Sequence, residues 1–165
     1  MLCRTVRHFT ALYLILVFGC PLLASNTKKP ATNVKITNIS AKVFNSFNGT
    51  LSEDVLADPD INLFNRVEID ATLVLVEVSP ESEDEDMVGK IEFTAIYRPD
   101  RQASPDEITV KKVAEIFDNR PKDRKYYVGF WLDRTGCWPV KLSVRIIGKP
   151  NSSPMKRVID FACGE

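Results

Sequence analysis

The sequence predicts an all-β fold: a two-layer antiparallel sandwich of immunoglobulin-like type, with about seven strands and one disulfide. Three observations predict it. Apolar and polar residues alternate with a period of two in segment after segment. Turn-forming residues break these segments at short intervals. Two cysteines remain once an N-terminal export signal is set aside. The 165 residues suit one domain, and the 44% hydrophobic and 27% charged content is that of an ordinary globular chain.

Residues 1–25 have the organisation of a signal peptide. Arg4, Arg7 and His8 give a positive start, and the apolar core Phe9–Phe18 is too short to act as a stop-transfer span. Cleavage is expected after Ala24 or Ser25. Gly19-Cys20 offers a second processing site, with Cys20 as a lipidated first residue; the bulky Phe18 and the apolar Pro21-Leu22-Leu23 favour the plain leader. Removing the leader takes away Cys3, Cys20 and the chain's single histidine. It leaves 20 basic against 22 acidic residues and the cysteines Cys137 and Cys163. A balanced charge offers no electrostatic footprint for nucleic acid.

Residues 26–33 are a polar lead-in expected to be mobile, and the sandwich domain is expected over 34–165. Val34 and Ile36 alternate in one phase, while Ile39, Ala41 and Val43 alternate in the other. That change of phase predicts a β-bulge near Asn38. Residues 45–60 are dense in turn formers, so a long loop with one short element is expected. From Val67 to Val78, one face carries Val67, Ile69, Ala71, Leu73 and Leu75. The other changes from Glu68, Asp70 and Thr72 to Val74, Val76 and Val78, a strand half under cover. Pro80 and the acidic run Glu81–Asp86 end it. Ile91, Phe93, Ala95 and Tyr97 form the next alternation, stopped at Pro99.

Residues 104–117 carry two signals. Ser104-Pro105-Asp106-Glu107 has the form of a capped helix start. The alternation of Ile108 with Val110, the β-branched content and the turn 118–124 point to a strand, which is the reading adopted. In 125–132, Tyr126, Val128, Phe130 and Leu132 share one face, and Tyr127, Gly129 and Trp131 the other. In 138–147, Trp138, Val140, Leu142, Val144 and Ile146 share a face. Matching apolar face to apolar face predicts a hairpin with Phe130 opposite Val140 and Val128 opposite Leu142, joined by the loop Asp133–Cys137.

Gly148–Pro154 turns the chain back, and folding Met155–Cys163 onto 138–147 brings Cys163 beside Cys137. An oxidising compartment and this return geometry both predict the Cys137–Cys163 bridge. Closing a loop of about 27 residues stabilises by about 3.5 kcal/mol in the chain-entropy model.

The segments Leu132–Leu142 (LDRTGCWPVKL) and Asp160–Glu165 (DFACGE), with the Asp70–Val78 core, resemble a family of small exported bacterial proteins of unknown function. The resemblance implies an envelope or secreted location and supports the same bridge. It implies no activity.

With no histidine after residue 25, neither a Ser-His-Asp or Cys-His unit nor a His-bearing zinc site can form. Scattered glycines exclude a phosphate loop. The acidic run Glu81–Asp86 lacks the glycine and ligand spacing of an EF-hand, so a solvated hairpin loop is expected there, with no metal and no cofactor. No catalytic residue is expected. The sharper expectation is a ligand platform: Tyr127 and Trp131 flanking the gap at Gly129, with Lys141 across from it.

These features predict a non-enzymatic exported binding module. Its partner would be another envelope or extracellular protein, or a glycan, with membrane contact only through a lipid on Cys20. Exposure of the aromatic pair would favour a carbohydrate or small ligand. An open strand edge would favour β-augmentation. Two buried acids about 5–10 Å apart in a cleft would point instead to a hydrolase.

Overall fold

Eight strands form two four-stranded antiparallel sheets in a computed structural model that describes residues 32–57, 69–82, 86–99, 106–118 and 124–161. They are β1 (Val34–Asn45), β2 (Thr50–Leu51), β3 (Ile69–Pro80), β4 (Met87–Tyr97), β5 (Ile108–Asp118), β6 (Tyr126–Asp133), β7 (Val140–Ile146) and β8 (Met155–Ile159). Sheet 1 runs β2-β1-β3-β6 and sheet 2 runs β5-β4-β7-β8. The protein is a two-layer β-sandwich, and its eighth strand is the two-residue β2. The segment 1–25, expected to be a signal peptide, lies outside the described residues.

The core fills the space between the sheets. Thr72, Val74, Val76 and Val78 of β3 face inward against Ile91, Phe93 and Ala95 of β4, and all are fully buried. Phe93 stacks on Phe130 with ring centroids 4.4 Å apart and planes 6° from parallel, joining the layers at their centre. On β3 the valine phase goes inward, which leaves Leu73 and Leu75 half-buried on the outer side.

The bulge expected near Asn38 is present, since the β1–β3 register shifts between Ile36 and Asn38. Residues 108–118 form a strand, as adopted for that ambiguous segment. Past β2 the chain runs along the open edge of β1. Ser52 N donates to Val43 O and Val55 N to Ala41 O, while the Asp54 carboxylate accepts from Ala41 N at 2.8 Å. This lining occupies edge groups that would otherwise pair with another chain.

The expected hairpin between residues 125–132 and 138–147 is corrected. β6 pairs with β3, placing Phe130 opposite Val74. β7 pairs with β4, placing Leu142 opposite Ala95. The connection 134–139 therefore crosses from one sheet to the other. Alternation shows only that each strand has one apolar face. Two such faces match equally well side by side in one sheet or face to face across a core. The corner is fixed by Arg134 at φ 54° and Gly136 at φ 135°. A buried hydrogen bond of 2.6 Å between the Thr72 and Thr135 hydroxyls secures it, and Tyr97 OH donates to Asp133 O at 3.2 Å.

A second crossing joins β3 to β4 through the acidic run, whose residues 83–85 lie outside the described residues, so this run does not cap a hairpin. Its ends are tied by Asn33. That residue's N donates to Val88 O and its carbonyl accepts from Glu81 N. Its side chain accepts from Val88 N at 2.8 Å and donates to Asp86 O. Asn33, expected as the last residue of the lead-in, is instead tied to the start of β4. The return of β8 onto β7 is as expected, with Val140 opposite Ile159 and Val144 opposite Met155. The expected Cys137–Cys163 bridge involves Cys163, which lies outside the described residues.

Candidate functional site

Pleating alone decides the placement of the two aromatic residues. On β6, Phe130 and Leu132 turn into the core, so Tyr127, Gly129 and Trp131 turn outward. Tyr127 is 55% and Trp131 45% exposed. Four residues along a strand set their Cα atoms about 13 Å apart. Phe44 from β1 meets Trp131 edge-on, with centroids 6.0 Å apart and planes at 88°.

Gly129 lies opposite Leu75 in the β3–β6 register. A Cβ at Gly129 would stand 3.4 Å from Leu73 Cδ1 and 3.7 Å from Leu75 Cδ2. The floor between the two rings is therefore low and lined by leucine methyls. It is an apolar saddle between aromatic ends.

Lys141 is not part of this surface, contrary to expectation. It sits on β7 in sheet 2, opposite Ile96 and Val158, and its Nζ pairs with Glu107 at 3.1 Å. Its expected position depended on β6 and β7 lying side by side, and the sheet crossing at 134–139 separates them. Lys141 instead lines a cleft of about 230 Å³ with Arg98, Glu107, Trp138 and Pro139. There the Arg98 guanidinium lies 5.2 Å from the centre of the exposed Trp138 ring.

The polar member of the aromatic surface is Glu77, which the sequence did not single out. It lies opposite Tyr127 across the β3–β6 ladder. Its carboxylate accepts from Thr37 Oγ1 at 2.7 Å, from Tyr127 OH at 2.9 Å and from Lys125 Nζ at 3.2 Å. The Thr37 hydroxyl, foremost, then the Tyr127 hydroxyl and Lys125, outweigh partial burial and hold its carboxyl below the ordinary carboxylate value. Thr37 is the extra residue of the β1 bulge, so the bulge delivers a third-strand donor to this carboxylate. The effect is to orient Tyr127. A lone acid inside Val76-Glu77-Val78 was the only signal available, and its partners depend on pairings that a sequence pattern does not contain.

Among the described residues no group of three His, Cys, Asp or Glu side chains could hold a metal. In comparisons with known proteins, no family model matches the chain. No characterised protein matches it either.

Proposed function

We propose that the protein is a non-enzymatic binding module of the exported space, with the outer face of sheet 1 as its recognition surface. The observation that carries this is the joint exposure of Tyr127 and Trp131 on one rigid strand, with Glu77 fixing the tyrosine. Rings held on a strand lose little entropy on binding, and aromatic faces attract flat apolar surfaces in water. A carbohydrate ring, which offers such a face with hydroxyls around its edge, is the ligand class best supported. Ser40 and Lys42 lie beside Leu75 and Leu73 in the β1–β3 register and supply polar neighbours.

A second reading, docking of a partner protein, is favoured by the apolar saddle of Leu73 and Leu75 and by Phe44. In either case the leader 1–25 is removed, and the partner of Cys137 is Cys163. The ladder of β7 with β8 ends at Val140 opposite Ile159, three residues after Cys137 and four before Cys163. No catalytic step is assigned to any residue.

Trp131 provides its own probe. In a Trp138→Phe background it is the only tryptophan of the chain. Titration with neutral and N-acetylated oligosaccharides should change its emission with saturation, and Tyr127→Ala should weaken that response. Emission unmoved by every oligosaccharide would remove the carbohydrate reading.

A further inference from the structure

The pleated edge of sheet 2 carries a second surface, distinct from the aromatic face. β5 is the terminal strand of its sheet, paired with β4 over eleven residues, and among the described residues no strand pairs with its far side. An open edge of this length, about 37 Å, is a template for another strand. Its outward side chains mix charge with apolar surface, since Lys111 and Glu115 stand beside Val113 and Phe117. Val113 is 58% and Phe117 72% exposed.

We propose that β5 pairs antiparallel with β5 of a second copy of this chain, about a two-fold axis at Val113, giving a symmetric dimer with a continuous eight-stranded sheet. The pattern Ile108-Thr-Val-Lys-Lys-Val-Ala-Glu-Ile-Phe-Asp118 is complementary to its own reverse in this register. Val113 faces its symmetry mate, and Lys111 faces Glu115 of the second copy, twice by symmetry. On the inner side Val110 faces Ile116, extending the core across the seam.

The registers on either side are disfavoured. An axis at Lys112 or at Lys111 sets a lysine against itself, and an axis at Glu115 sets a glutamate against itself. An axis at Ala114 faces Val113 with Glu115 and Lys111 with Phe117. Like charges directly opposite destabilise a ladder, so the charges on this edge select one register.

The remaining side chains are arranged to permit it. Lys112 reaches back to donate to Trp131 O at 3.0 Å in its own chain, which draws its charge away from the seam. Glu115 already pairs with Lys90 on β4. In the dimer it would lie between that lysine and Lys111 of the second copy, a row of alternating charge across three strands. The dimer draws on the edge of sheet 2 and not on the outer face of sheet 1, so its failure would not touch the recognition proposal.

Sedimentation velocity on the purified protein, from micromolar to millimolar concentration, should show reversible dimerisation. Lys111→Glu converts two attractive pairs into two repulsive ones and should weaken association about 30-fold, or about 2 kcal/mol. Adding Glu115→Lys to that variant should recover dimerisation at least in part. Val113→Lys, at another exposed position, should independently give monomer, with an unchanged circular dichroism spectrum showing that each variant folds. A protein that is monomeric throughout, a dimer indifferent to Lys111→Glu, or a double variant with no recovery would overturn the proposal.

Discussion

Shortening the two central phenyl rings tests whether the layers meet as described. Phe93 belongs to sheet 2 and Phe130 to sheet 1, and both are buried with their rings stacked at 4.4 Å. Phe→Leu at either position removes part of a ring from a packed interior. Each should cost about 1–2 kcal/mol in transfer and cavity terms. Because the rings touch, the two losses share one cavity and one ring contact. The double variant should therefore depart from additivity by about 0.5–1.5 kcal/mol. Urea unfolding of the wild type, both single variants and the double variant gives the cycle directly, provided the m-values agree. Additivity within about 0.3 kcal/mol would mean that the rings do not meet. It would return β6 and β7 to a single sheet and remove the basis for separating Lys141 from Tyr127 and Trp131.

Three further outcomes are expected. Gly89→Ala places a methyl 2.6 Å from Val34 Cγ2 and 3.1 Å from Thr32 Cγ2. It should lower stability by about 1–3 kcal/mol in chemical denaturation, and a neutral result would show that β1 does not press on β4 there. Cys137→Ser should cost about 2–4 kcal/mol, and the wild type in reductant should lose a similar amount; equal melting temperatures with and without reductant would contradict the bridge. Glu77 has its carboxyl held below its ordinary value of 4.5 by Thr37, Tyr127 and Lys125. Its stabilising contribution is therefore present above pH 4.5 and is lost as pH falls through the lowered folded value. The melting temperature of the wild type should fall more steeply in that acid range than that of Glu77→Gln, and parallel profiles would deny Glu77 this role.

What could be read in advance was whatever a single strand contains. The phase change at Asn38, the strand at 108–118 and the outward pair Tyr127 and Trp131 follow from side-chain alternation, which is local. Pairing is not local. The residues Asp133–Cys137 look the same whether they turn a hairpin within a sheet or carry the chain between sheets, because Arg134 and Gly136 serve either path. Lys141 was misplaced for that reason alone. Glu77 and Leu75 were missed for the same reason, since each matters through a neighbour on a strand distant in sequence. On β3, alternation offered two apolar phases; contact with β4 decides that Val74, Val76 and Val78 go inward.

Two exposed tryptophans stand on separate surfaces, Trp131 on sheet 1 and Trp138 at the Arg98 and Lys141 cleft. Isothermal titration of the best-binding oligosaccharide against the wild type, Trp131→Ala and Trp138→Ala places the two exposed tryptophans in direct competition. Loss of binding in Trp131→Ala, with affinity retained in Trp138→Ala, is the expected result. Retained binding in Trp131→Ala with loss in Trp138→Ala would move recognition to the Arg98 and Lys141 cleft and contradict the assignment made to sheet 1.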